Sequence, residues 1–245
     1  MNRHTVRSAI GKMPRCFVVF CLIACSTLTA SAAGVVTILP VQVCDNAGAN
    51  CANAAKELYE TATDKIWAQI GVDIQFLAWD TWNSTANQTI VNGPPTSPAA
   101  FFAAAPAHSL KAANPNSITM WVIKSMNDGT YGEANAIGGD KIVIMDNVFA
   151  ESRRDTIAHE IGHSLGLQHQ PGNGGMDDTY LMWSGSRQIP GGLGDITPDG
   201  LKLDKLTAAQ MVTAGGSAFV VPEPAAALLL VFGLCALAVQ RKGRR

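Results

Sequence analysis

The stretch "HEIGHSLGLQH", residues 159–169, places three of the chain's five histidines within eleven positions, with a glutamate directly after the first. His159 and His163 stand four apart, so on a helix their imidazoles leave one face a turn apart and can reach a common cation. Zinc lowers the pKa of a nearby water toward roughly 7, and the Glu160 carboxylate can take that proton and pass it later to a leaving amine. Gly166 can adopt the left-handed conformation that ends a helix, and the turn allows His169 to swing back as a third ligand. Three neutral imidazoles leave a fourth position open, the pattern of a catalytic rather than a structural zinc. The expected metal ligands are therefore His159, His163 and His169, and the expected general base and acid is Glu160.

Working outward, the helix carrying this motif starts near Ser152, and Ile157, Ile161 and Leu165 recur every four residues as its buried stripe. Before it, "YGEANAIGG" (131–139) and "DKIVIMD" (140–146) read as a hairpin-like pair of strands turning at Gly138-Gly139. Further back, "VVTILPVQV" (35–43), "VDIQFLAW" (72–79) and "SITMWVIK" (117–124) read as strands rich in β-branched residues. Residues 51–71 space Ala55, Leu58, Ala62, Ile66 and Ile70 as an amphipathic helix that stops at Gly71. The proline- and alanine-rich stretch 92–116 reads as a loop with one short helical piece. His108, alone in that loop, reads as surface decoration rather than a ligand, because metal binding needs convergent partners. Downstream, Thr207 and Gln210 form a capping box that leads a final helix.

The motif H-E-x-x-H-x-x-G-x-x-H is matched here without a gap, and on it the chain resembles the metzincin clan of zinc endopeptidases. The fuller stretch "GGDKIVIMDN…TIAHEIGHSLGLQH" looks most like the matrixin branch. The resemblance implies an α+β fold: a twisted, mostly parallel sheet with an antiparallel edge strand, an active-site helix, and a small C-terminal subdomain. The upper part then runs to about residue 166 and the lower part over about 167–221. It implies that 131–139 is the edge strand roofing the cleft, where extended peptides pair through their main chain. It also implies that Met182 in "YLMWSG" supports the ligands as a hydrophobic floor; Met176 competes for that place, and an ordinary core methionine is the plainer reading. Matrixins hold calcium, so Asp128, Asp140, Asp146, Asp177 and Asp178 are calcium candidates, against solvated turn carboxylates, since calcium needs six or more oxygens together. Three features depart from the family pattern. "QPGNGGMDDTY" is longer than the compact matrixin connection, no tyrosine follows Met182, and no cysteine-switch motif precedes the domain.

Both ends of the 245-residue chain read as export signals. Residues 1–33 have a basic start, the apolar run "CFVVFCLIACSTL" and small residues at Ala30 and Ala32, the pattern of a cleaved secretory signal. The alternative is that "LIAC" at 22–25 is a lipoprotein box with Cys25 lipidated. At the other end, Val221-Pro222-Glu223-Pro224, the apolar run 225–239 and a terminal basic cluster resemble the PEP-CTERM sorting signal of Gram-negative bacteria. That resemblance implies removal of the tail, residues 222–245, by an exosortase, after signal peptidase has acted at the other end. The protein would then reach the cell surface, the outer membrane or the extracellular matrix; a plain C-terminal anchor is the alternative. With Cys16, Cys21, Cys25 and Cys235 assigned to these ends, Cys44 and Cys51 remain in the body and read as a disulfide closing a small loop.

A formal net charge of −1 and no concentrated basic patch argue against a nucleic-acid partner, and 47% apolar residues suffice for one core over 34–221. The expectation is an exported zinc-dependent metalloendopeptidase acting on a protein or peptide substrate. Its rival is a surface- or matrix-associated binding protein whose zinc domain no longer turns over.

Overall fold

The β-branched run after Gly34 forms one long strand, β1 (Gly34–Cys44), which is an interior strand of the sheet. The computed structural model describes residues 34–55, 57–91, 96–169, 179–183 and 205–223. The expected signal segment, Cys25, Met176, Asp177, Asp178 and the tail from residue 224 lie outside the described residues. Among the described residues, no helix is long and apolar enough to cross a membrane.

After β1 come helix α1 (Glu60–Trp67), β2 (Val72–Phe76), β3 (Asp80–Asn83), β4 (Thr89–Ile90) and α2 (Pro98–Ala104). Then follow β5 (Ile118–Ile123), β6 (Ser125–Met126), β7 (Gly132–Ala134), β8 (Lys141–Met145), α3 (Asn147–Ala150), α4 (Thr156–Ser164), α5 (Ala208–Gly215) and β9 (Val221–Pro222). The main sheet has the order β2-β1-β5-β8-β7. β1 is parallel to β2, β3 and β5, β5 is parallel to β8, and β7 is antiparallel to β8. β9 adds a short antiparallel pairing at the start of β1. This is a mixed fold with a mainly parallel sheet and one antiparallel edge, as the sequence led us to expect.

Parallel strands flanked by helices are buried on both faces, and β5 shows it: all six residues are buried. Met120 and Val122 face a core shared with Ile66, Trp67, Ile157 and Ile161 from α1 and α4. Trp121 and Ile123 face a smaller core closed by Phe101 and Phe102 of α2. The histidine motif thus sits on a helix fixed by the larger core, with Ile157, Ile161 and Leu165 all buried.

Three elements differ from the sequence reading. The helix expected over 51–71 is confined to Glu60–Trp67 with a 3-10 turn to Ile70. Ala52 is bound to the sheet instead: its N–H donates to Val43 and its carbonyl accepts from Gln42 Nε2. Leu58 and Tyr59 have φ of 44° and 55°, which breaks the helical path. The strand expected over 72–79 ends at Phe76, and a separate strand starts at Asp80; between them the Ala78 carbonyl lies 3.1 Å from His108 Nε2. The helix carrying the histidine motif begins at Thr156 rather than near Ser152, whose φ of 57° turns the chain out of the preceding α3.

Candidate metal centre

Helix α4 carries His159, Glu160 and His163 in the buried layer beneath the cleft. The helix stops at Leu165 because Gly166 takes φ 95°, a left-handed geometry that side chains resist, while its N–H donates to the His163 carbonyl. The turn returns exposed His169 to the two helical histidines. Its Nε2 lies 3.0 Å from His159 Nε2 and 3.1 Å from His163 Nε2. The ligand atoms of the three residues all fall within 4.8 Å of one another, so the group could hold one metal ion.

The second nitrogen of each helical histidine decides which atom faces the centre. His159 Nδ1 is 2.6 Å from the Leu181 carbonyl, and His163 Nδ1 is 2.8 Å from the Leu167 carbonyl. A carbonyl oxygen only accepts, so both Nδ1 atoms carry the proton and both Nε2 atoms present lone pairs. Two lone pairs aimed at the same place as His169 Nε2 suit a shared cation, and backbone carbonyls are the usual outer partners of metal-bound imidazoles. The donor set fits zinc: three neutral nitrogens with an open cleft beside them.

The turn that supplies the Leu181 carbonyl also carries Met182, which is fully buried. A Cβ placed on Gly162, between the two helical histidines, would come within 2.6 Å of Met182 Sδ. Met182 therefore packs against the helix directly beneath the ligands, and Gly162 is the residue that admits it.

Above α4 lies a cleft of about 890 Å³, walled on one side by the β7 segment and on the other by the helix, Gln168 and His169. Gly132 lies close beside Glu160 in its lining: an added Cβ would stand 2.8 Å from Glu160 Cγ. Glu133, half-buried on β7, has its carboxyl pushed above the usual range by burial and then by Asp128. At one end, Tyr131 donates to Glu151 Oε2 at 2.6 Å, and the Arg153 guanidinium lies 3.7 Å over the Tyr131 ring. That hydrogen bond raises the Tyr131 hydroxyl and lowers the Glu151 carboxyl.

The remaining candidates have other employment. Cys44 and Cys51 are joined in a disulfide. His108 is buried rather than decorating the surface: Leu110 N–H donates to its Nδ1 and its Nε2–H donates to Ala78, so it pins a loop to the sheet. Asp128 accepts from Thr130, Asp140 pairs with Lys111, and Asp146 accepts from Asn53 N–H. Among the described residues, the three histidines form the one group of candidate ligands that converges, and these aspartates do not join it. The sequence reading missed Gly132, Gly162 and the Leu167 and Leu181 carbonyls. A glycine inside a strand or helix does signal a close approach, but what approaches it is set by the fold.

No family model matches the sequence, and no curated relative matches it. Among solved structures, the chain is similar to metalloproteinase-II from Bacteroides fragilis at 14% identity and TM-score 0.46, over 78% of this chain and 54% of that one. It therefore spans about half the length of that protein. It is also similar to a zinc-dependent peptidase from Methanocorpusculum labreanum, at 12% identity and TM-score 0.37, over 73% of this chain and 99% of that one. A third similar structure, a chaperone-substrate complex, has 13% identity, TM-score 0.40 and coverages of 60% and 25%.

Proposed function

We propose that this chain is an exported zinc-dependent metalloendopeptidase of metzincin type. The observation that carries the reading is the convergence of three imidazole Nε2 atoms on one side of an open cleft, with Glu160 buried on the same helix. Zinc, when bound, supplies Lewis acidity that acidifies water within its reach and polarises a carbonyl. His159 and His163 hold their orientation through Leu181 and Leu167, so the ligand set is preorganised. Glu160 accepts a proton from the attacking water and returns it to the leaving amine nitrogen. The outward main-chain groups of β7 hold the substrate extended along the cleft, as an exposed sheet edge does.

Export rests on the terminal segments and finds support in the Cys44–Cys51 bridge, since disulfides persist in oxidising compartments. In this reading signal peptidase and an exosortase-type enzyme are the processing partners, and the surface or matrix of a Gram-negative cell is the destination.

The test is cleavage of a denatured, quenched protein substrate by purified protein, with zinc, with chelator, and with zinc restored. Metal-dependent release of internal fragments supports the reading. Stoichiometric zinc without hydrolysis supports the rival, a binding protein that keeps the site without turnover.

A further inference from the structure

The cleft is chemically lopsided. At the end beside His163, the Gly138 N–H donates to the His163 carbonyl and Ile137 stands 47% exposed, with Ala136 next to it. At the other end the wall is Tyr131 and Arg153. Arg153 is the one permanently charged cation among the described residues lining the cleft.

Its guanidinium is held rather than loose. The Tyr131 ring lies beneath it at 3.7 Å, and its Nε donates to Glu151 Oε2 at 3.3 Å. Glu151 is in turn fixed by the Tyr131 hydroxyl and by Asn147 Nδ2. The Arg153 side chain is about one-fifth exposed, at 20%, and faces the cleft, whereas Glu151 is not part of the cleft lining. A guanidinium has five N–H donors in a planar fork, so one bond to Glu151 leaves the geometry for a second carboxylate. Stacking and the Glu151 bond also remove most of the freedom that an exposed arginine would lose on binding.

We propose that Arg153, stacked on Tyr131 and oriented by Glu151, is a specificity-determining residue that binds a carboxylate of the substrate on one side of the scissile bond. This deepens the peptidase reading of the same cleft and rests on it. Glu160 marks the reacting position and Gly132 lies close beside it, so Tyr131 is one residue along the edge. An extended peptide advances about 3.3 Å per residue, which places the recognised carboxylate about one to three residues from the scissile bond. Two sources share this chemistry: an internal Asp or Glu side chain, and the peptide's own C-terminal carboxylate.

The test uses the full chain with zinc and one parent peptide in which Glu or Gln is walked through each position on both sides of the cut, all C-terminally amidated. A second arm carries no acidic residue and ends in a free carboxylate at each position. Cleavage is read as kcat/KM, and binding is read by fluorescence anisotropy on the Glu160→Gln protein. The expected result is a preference of about tenfold for the carboxylate in one arm, confined to one side of the cut, in both cleavage and binding. The arm that shows it identifies the source. Arg153→Gln should bring the ratio close to one, and Arg153→Lys should keep part of it. Because the wild-type ratio stands without any variant, misfolding of Arg153→Gln does not remove the test. A ratio near one at every position, in both arms and both readouts, overturns the proposal while cleavage itself still supports the peptidase. Binding preference without any hydrolysis does the reverse: the carboxylate site stands and the peptidase reading falls.

Discussion

Gly132 of the edge strand lies close against Glu160 of helix α4: a Cβ added at Gly132 would lie 2.8 Å from Glu160 Cγ and 3.1 Å from Oε1. The strand therefore approaches the proposed general base more closely than a residue with a side chain could without a shift. Ile144 Cδ1, at 3.0 Å from the same point, closes the other direction of escape. Gly132→Ala should push the carboxylate off its position and leave the histidines in place. Misplacement of a reacting group by about 1 Å lowers rates by roughly 100-fold, so we expect kcat/KM to fall by about 10- to 100-fold with zinc content unchanged. Parallel kinetics and elemental analysis check it; full activity would show that Glu160 does not depend on this contact.

Glu160 and His163 should separate chemistry from metal binding. Glu160→Gln keeps the size and the ligand set but removes the proton acceptor, so it should bind zinc and lose hydrolysis. His163→Ala should lose both. The two differ in heat stability as well, since a ligand of the folded state alone stabilises by about 2.7 kcal/mol at 100 times its Kd. Added zinc should raise the Tm of wild type and Glu160→Gln, and leave that of His163→Ala nearly unmoved. Substantial hydrolysis by the glutamine variant would remove Glu160 from the mechanism.

Gly162 and Met182 should be coupled with opposite signs. Alanine in place of glycine inside a helix is favourable by about 1 kcal/mol, but here its Cβ would stand 2.6 Å from the fully buried Met182 Sδ. Overpacking of that kind costs about 1–3 kcal/mol. Gly162→Ala is expected to destabilise wild type, and to stabilise the protein once Met182→Ala has cleared the space. Urea denaturation of the four proteins in this cycle measures it. The same sign in both backgrounds would mean that Met182 yields without strain.

The motif was legible because its chemistry is local: an i, i+4 pair, a carboxylate and a glycine stop are all written within eleven residues. The strands were legible where β-branched residues run together, as in β1, β5 and β8. Residues 51–59 misled because alanine spacing there imitates a helix, while a disulfide and two hydrogen bonds of Ala52 pull the segment onto β1. His108 misled for a related reason. Its partners Ala78 and Leu110 are main-chain atoms, one 30 residues away, and main-chain carbonyls leave no mark in a sequence. The orientation of His159 by Leu181, across 22 residues, was hidden in the same way.

The Cys44–Cys51 bridge closes a short loop that also holds neighbouring segments, through Asn46 with Thr85 and Asn50 with Gln88 and Lys124. Cys51 is the better residue to change, because Cys44 is fully buried and a hydroxyl there would be stranded. By chain entropy a loop of this size contributes about 2–3 kcal/mol. Cys51→Ser should lose about that much in chemical denaturation, and reductant should lower the stability of wild type but not of the variant. An unchanged midpoint would mean that the loop's hydrogen bonds alone suffice.

The edge strand makes the sharpest distinction between neighbours. In an antiparallel pair, alternate residues turn their N–H groups toward the partner strand and away from it. Asn135 N–H donates to the Lys141 carbonyl at 2.9 Å, so position 135 faces inward to β8. Ala134, paired with Ile142 in the register, then turns its N–H outward along the cleft. Proline removes one N–H wherever it stands. Ala134→Pro should keep the fold and zinc while weakening the grip on an extended substrate, with a loss in kcat/KM of about 1 kcal/mol or more, roughly fivefold upward. Asn135→Pro should instead break a ladder bond and destabilise the hairpin. It also displaces Asn135 Oδ1, which accepts the Lys141 N–H at 3.2 Å. Circular dichroism, zinc content and peptide kinetics on both proteins decide the matter. If Ala134→Pro cleaves at the wild-type rate, the substrate is not held along β7, and the roof of the cleft has another role.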